Sequence, residues 1–166
     1  AANIILALSK GFFGIVANSS ALIADAGHSF SDLLSDAITL WALRISSIPK
    51  DKNHPYGHGK FETIGTFFIA LLLFITGIGI AWHVFNKINA PVVPGIISLW
   101  VAGIAIIVKE FLFQINKMEA RKTGSRVLLA NAWHHRTDAL SSVAALLGIL
   151  GARWGFPLMD PIVGLL

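Results

Sequence analysis

Two histidine–aspartate pairs sit inside runs of apolar sequence, where ionisable groups are out of place. His28 and Asp32 fall in the run from Ala21 to Leu43, and His134 and Asp138 fall in the run from Val127 to Leu150. Residues four apart on a helix share one face, with about 5–6 Å between Cβ atoms. The imidazole and carboxylate of each pair can therefore turn toward a single ion. Two such pairs on facing helices supply two nitrogens and two carboxylate oxygens, a four-coordinate set suited to Zn²⁺. The competing reading is a set of buried His–Asp contacts between helices with no metal. It explains one pair more easily than two at matching depth.

The two segments also resemble each other. Residues 24–35 read A-D-A-G-H-S-F-S-D-L-L-S and residues 130–141 read A-N-A-W-H-H-R-T-D-A-L-S, so His28 aligns with His134 and Asp32 with Asp138. Asp, Lys or Arg at the centre of a membrane helix costs about 2.5–3.5 kcal/mol on insertion scales. The first segment nevertheless carries Asp25, His28, Asp32 and Asp36, and the second His134, His135, Arg136 and Asp138. Asp25 and Asp36 fit polar contacts to neighbouring helices, or an access route to the site. His135 and Arg136 should point away from the pair's face, with Arg136 neutralising an acid.

Membrane helices must position these groups. The 166 residues are 55% apolar and only 13% charged, with a mean hydropathy of +0.70. Soluble proteins carry roughly 25% charged residues, so a water-facing surface would be under-supplied. Apolar runs cover Asn3–Val16, Ala21–Leu43, Phe61–Phe85, Gly95–Ile115 and Val127–Leu150, and a sixth begins near Pro161. A span needs roughly 20 apolar residues. The expected fold is all-α, a multi-pass transmembrane bundle of six helices, with the first and last truncated because both ends look cut. No signal or transit peptide is visible, and without cysteine neither disulfides nor thiolate ligands arise.

Lys and Arg set the orientation. Arg44, Lys50, Lys52 and Lys60 lie between spans two and three, and Lys117, Arg121, Lys122 and Arg126 between spans four and five. Only Lys87 and Arg153 fall in connections on the other side. This bias places loops 44–60 and 116–127 on the cytoplasmic side. The net charge of +4 is spread over these gaps without interleaved aromatics, which argues against nucleic acid as a partner. Lys10 reads as a snorkelling side chain, and Lys109 and Glu110 as a salt bridge or snorkelling pair near the inner interface.

The loop K-D-K-N-H-P-Y-G-H-G-K-F-E adds Asp51, His54 and His58. Three N/O donors within eight residues could bind an ion in an open site, although spacing alone slightly favours a solvated polar loop.

Three motifs in order, D-A-x-H-x-x-x-D, H-P-Y-G-H-G-K-F-E and H-x-x-x-D, resemble the cation diffusion facilitator family over essentially the whole chain. The resemblance implies a six-helix transmembrane domain, residues 1–166, that exports Zn²⁺ or a related ion (Fe²⁺, Mn²⁺, Cd²⁺ or Co²⁺) in exchange for protons. It implies a transport site of His28, Asp32, His134 and Asp138, a loop site of Asp51, His54 and His58, and a homodimer in the full-length protein. The metal is cargo, not a cofactor. The family's cytoplasmic C-terminal domain has no counterpart here. An intramembrane metalloenzyme is disfavoured, since no H-E-x-x-H and no general base stand beside the ligands. A non-transporting, metal-sensing membrane protein is the other alternative.

Overall fold

A computed structural model describes residues 2–50, 54–88, 91–124 and 126–165. Its elements are six helices: α1 (Ala2–Val16), α2 (Ser20–Ser46), α3 (Lys60–Ile88), α4 (Ile97–Thr123), α5 (Arg126–Arg153) and α6 (Met159–Val163). The all-α bundle expected from the apolar runs is present, and no strand occurs among the described residues. At their C-terminal ends α2, α3 and α5 run three residues past the apolar runs and α4 eight, because the polar residues there keep helical geometry where headgroups begin.

The bundle is built inside-out relative to a soluble protein. Among the described residues, twelve of the sixteen buried apolar side chains are alanines, while large apolar side chains of every long helix face outward. Lipid chains are as apolar as leucine, so membrane helices gain most by letting backbones approach closely over small residues. Gly65 shows this well: a Cβ there would sit 2.6 Å from the Cβ of Ala42, so α2 and α3 cross over a glycine–alanine pair. α3 and α4 are long and apolar enough to cross a membrane, with mean hydropathies of 2.4 and 1.7. α2 and α5 are as long but too polar by that measure, because they carry the site.

α2 is central, packing against α1, α3, α5 and α6, while α5 packs against α4, α6 and α2. Short turns at one end hold the arrangement. Asn18 adopts a positive φ of 54° between α1 and α2, a conformation Asn tolerates better than most residues. Lys87 Nζ donates to Asn18 Oδ1 at 3.2 Å, and Arg153 Nη1 donates to the Pro94 carbonyl at 2.8 Å. The Gly95 amide donates to the Ala17 carbonyl at 2.8 Å. The two cations assigned by charge count to the outer side thus tie the outer turns together.

One tie joins the two ends of the sequence. Ser19 caps α2 by accepting from the Leu22 amide, and its hydroxyl donates to Asp160 Oδ1 at 2.6 Å. Asp160 Oδ2 accepts from the Ser20 amide at 2.6 Å. A carboxylate at the first turn satisfies amides that otherwise lack partners and complements the helix dipole. The start of α6 thereby anchors the start of the helix that bears His28 and Asp32. Ser-Ser before an apolar run signals such a cap; the donor of the carboxylate, about 140 residues away, carries no local signal.

Candidate metal centre

Asp32, Lys109 and Asp138 are each the thirteenth residue of their helices, of 27, 27 and 28 residues respectively. All three therefore sit near mid-helix, farthest from water. His28 lies one turn before Asp32, with its Nε2 3.6 Å from Asp32 Oδ2. His134 lies one turn before Asp138, with its Nδ1 3.8 Å from Asp138 Oδ1. The i,i+4 geometry expected from the spacing holds in both helices.

Across the α2–α5 contact, one donor atom each from His28, Asp32 and Asp138 lie within 4.8 Å of one another. The structure brings these three of the four sequence-selected residues into one cluster and leaves His134 beside it, next to Asp138. Asp32 Oδ2 is buried and makes no hydrogen bond. A buried carboxylate oxygen without a donor is costly, and a cation between these groups would satisfy it. His28 is about half exposed, whereas Asp138 is buried. A cavity of about 500 Å³ opens beside them, bounded by Asp25 and His28 of α2, Ile80 of α3, Ser141 of α5 and Gly164 after α6. By the charge count it lies in the outer half, and Asp25, His28, Thr137 and Ser141 are the polar members of an otherwise apolar lining. The apolar clefts between α1 and α4 and between α2 and α3 lie where lipid chains pack.

Several neighbouring charges sit differently from the sequence reading. Lys10 does not snorkel. It is fully buried, with its Nζ 2.8 Å from Asp25 Oδ2 and 2.9 Å from Ser142 Oγ, and Ser142 Oγ donates to the same Asp25 oxygen at 2.9 Å. An isolated ammonium in hydrocarbon must find a counter-charge, and Asp25 supplies it across the α1–α2 interface. Asp25 thus bonds polar groups of neighbouring helices, while Asp36 is exposed. Among the described residues Arg136 pairs with no acid; its guanidinium lies over the rings of Phe113 (4.9 Å) and Trp133 (5.6 Å). His135 is buried, and its Nδ1 lacks a hydrogen bond. Glu110 bonds Gln114 one turn on. Lys109 does make a salt bridge, but to Asp138 itself and in the protein interior.

In the loop, the rings of His54 and His58 are 4.3 Å apart and both approach Phe61. Asp51 lies outside the described residues.

Compared with known protein families, residues 1–166 match the Cation efflux transmembrane domain.

The chain belongs to the cation efflux family.

Among cation efflux relatives, it is 40% identical to Metal tolerance protein 2 of Oryza sativa subsp. japonica, covering 99% of this chain and 50% of that protein. It is 38% identical to Mitochondrial metal transporter 2 of Saccharomyces cerevisiae, over 90% of this chain and 36% of that one. It is 35% identical to the Manganese efflux system protein MneP of Bacillus subtilis, over 93% and 52%. The chain spans about half or less of these relatives' lengths. The family membership and the outward-facing apolar shell agree: this is an integral membrane protein of a metal-transporter family.

Proposed function

We propose that this chain forms the ion pathway of a divalent-cation exporter, with Zn²⁺ as cargo held between α2 and α5 and exchanged for protons. The observation that carries the reading is the meeting of His28, Asp32 and Asp138 from two helices within 4.8 Å, at mid-helix and beside the outward cavity. His134, already 3.8 Å from Asp138, completes a His₂Asp₂ set by a side-chain rotation.

Exchange follows from the donor types. Metal ligands must be neutral imidazole and ionised carboxylate, so protons and metal compete for the same atoms. Rocking of helix groups around a fixed mid-membrane site switches its access. The ion is loaded from a neutral interior and released to protons outside. In the full-length protein the unit is a homodimer, and the loop residues Asp51, His54 and His58 form a second site on the cytoplasmic side.

One observation favours a second reading. Without His134 the cluster has one nitrogen and two carboxylates, an oxygen-weighted set that suits Mn²⁺ or Fe²⁺ better than Zn²⁺. Flux of Zn²⁺, Mn²⁺, Fe²⁺, Co²⁺ and Cd²⁺ into sealed proteoliposomes, with and without a pH gradient, tests both. The Zn²⁺ reading expects Zn²⁺ to lead, acceleration by the gradient, and loss of Zn²⁺ flux in His134→Ala. If Mn²⁺ leads and His134→Ala leaves it intact, the second reading holds. Binding without flux of any ion would mark a sensor instead.

A further inference from the structure

Lys109 brings a positive charge to the place where the ion is proposed to bind. It stands at the middle of α4, is 3% exposed, and its ammonium is paired with Asp138 Oδ2. Asp138 is also one of the three clustered donors. Its other oxygen faces His134, so both oxygens of this carboxylate already have a neighbour.

We propose that Lys109 is a tethered cation that competes with the transported ion for Asp138, an inference resting on the metal-site reading above. The physical case has two parts. A divalent ion bound through Asp138 and an ammonium on the same carboxylate are like charges a few ångströms apart in a weakly screened interior, and each weakens the other's hold. This is so whichever oxygen the ion takes. Ion binding therefore displaces the ammonium or is weakened by it, and release of the ion is helped by the ammonium's return. The second part concerns the empty carrier. Asp32 and Asp138 together would carry two negative charges through the switch in access, which hydrocarbon resists. With Lys109 on Asp138, half of that charge is neutralised by a group that cannot leave the protein. A lysine suits this role because its ammonium is a compact charge on a flexible four-carbon stem, able to swing off and return.

A purely structural salt bridge makes the opposite forecast. If Lys109 only positioned Asp138, its removal would loosen the carboxylate and weaken ion binding. The sign of the change thus separates the two roles. The experiment is calorimetric titration of Zn²⁺, and separately Mn²⁺, into the intact protein in lipid nanodiscs at one neutral pH. Intramolecular coupling of this kind is typically worth about 5–150-fold in affinity. Lys109→Met should tighten binding by about tenfold or more, with slower release and a lower half-saturating concentration for flux. Lys109→Arg, which keeps the charge and grips a carboxylate through a planar fork, should not tighten binding. Lys109→Gln carries the same forecast as Lys109→Met and can still hydrogen-bond Asp138, should the apolar variant not fold. Unchanged or weaker binding in a folded Lys109→Met or Lys109→Gln protein overturns the proposal. Asp32→Asn in parallel keeps the two levels apart. If it leaves binding undiminished, the metal-site reading fails; if it abolishes binding while Lys109→Met does not tighten it, only the role of Lys109 fails.

Discussion

Proteoliposomes carrying Asp32→Asn should pass metal at less than about one-hundredth of the parent rate. Substituting groups that merely orient metal ligands already costs about 10–100-fold, and Asp32 is proposed as a ligand itself. The substitution is nearly isosteric, so packing barely changes. What changes is that a buried oxygen with no hydrogen-bond donor loses the negative charge that makes it attractive to a cation. Asp32 tests the site better than Asp138 does, because replacing Asp138 would also strand the ammonium of Lys109 and confuse function with stability. Initial Zn²⁺ influx with a fluorescent indicator inside the vesicles, normalised to inserted protein, is the measurement. Flux near the parent level would remove Asp32 from the site.

The largest effect on stability is expected at the other buried ion pair. Lys10→Met leaves Asp25 buried without its counter-charge, and breaking one side of a buried pair typically costs about 3–5 kcal/mol. Lys10→Met combined with Asp25→Leu replaces the pair by apolar groups and should recover most of that loss, since such replacements are often neutral or stabilising. Thermal unfolding in detergent of the two single variants and the double variant forms the cycle that isolates the coupling. A Lys10→Met protein as stable as the parent would mean that Asp25 finds another partner, and that Ser142, which bonds both Lys10 and Asp25, suffices.

Local periodicity made some of this legible. The apolar runs located all six helices, and the four-residue spacing placed each His beside its Asp, because both signals depend only on neighbours along one helix. Opposed running directions of α2 and α5 put His28 and Asp138 at one level. The partners of Lys10, Lys109 and Asp160 were not legible, since each joins helices far apart in sequence. A weaker signal was present. A single Lys amid apolar residues, as at Lys10, cannot stay unpaired in hydrocarbon, so each such residue announces a partner without naming it. Snorkelling was the wrong resolution for Lys10, whose neighbour Asp25 lies within the same bundle layer. For Arg136 the ring of Trp133, three residues earlier on the same helix, was within reach of spacing, whereas Phe113 of α4, 23 residues away in the chain, was not.

The claim that α2 and α5 share one ion is tested most directly by locating the ion. Anomalous scattering at the zinc edge, from Zn²⁺-loaded protein, would show where it sits. The account expects a single intramembrane peak about 2.0–2.2 Å from a carboxylate oxygen of Asp32 and one of Asp138, and from His28 nitrogen. A peak coordinated by residues of one helix alone, or elsewhere in the bilayer with Asp32 and Asp138 turned apart, would contradict it.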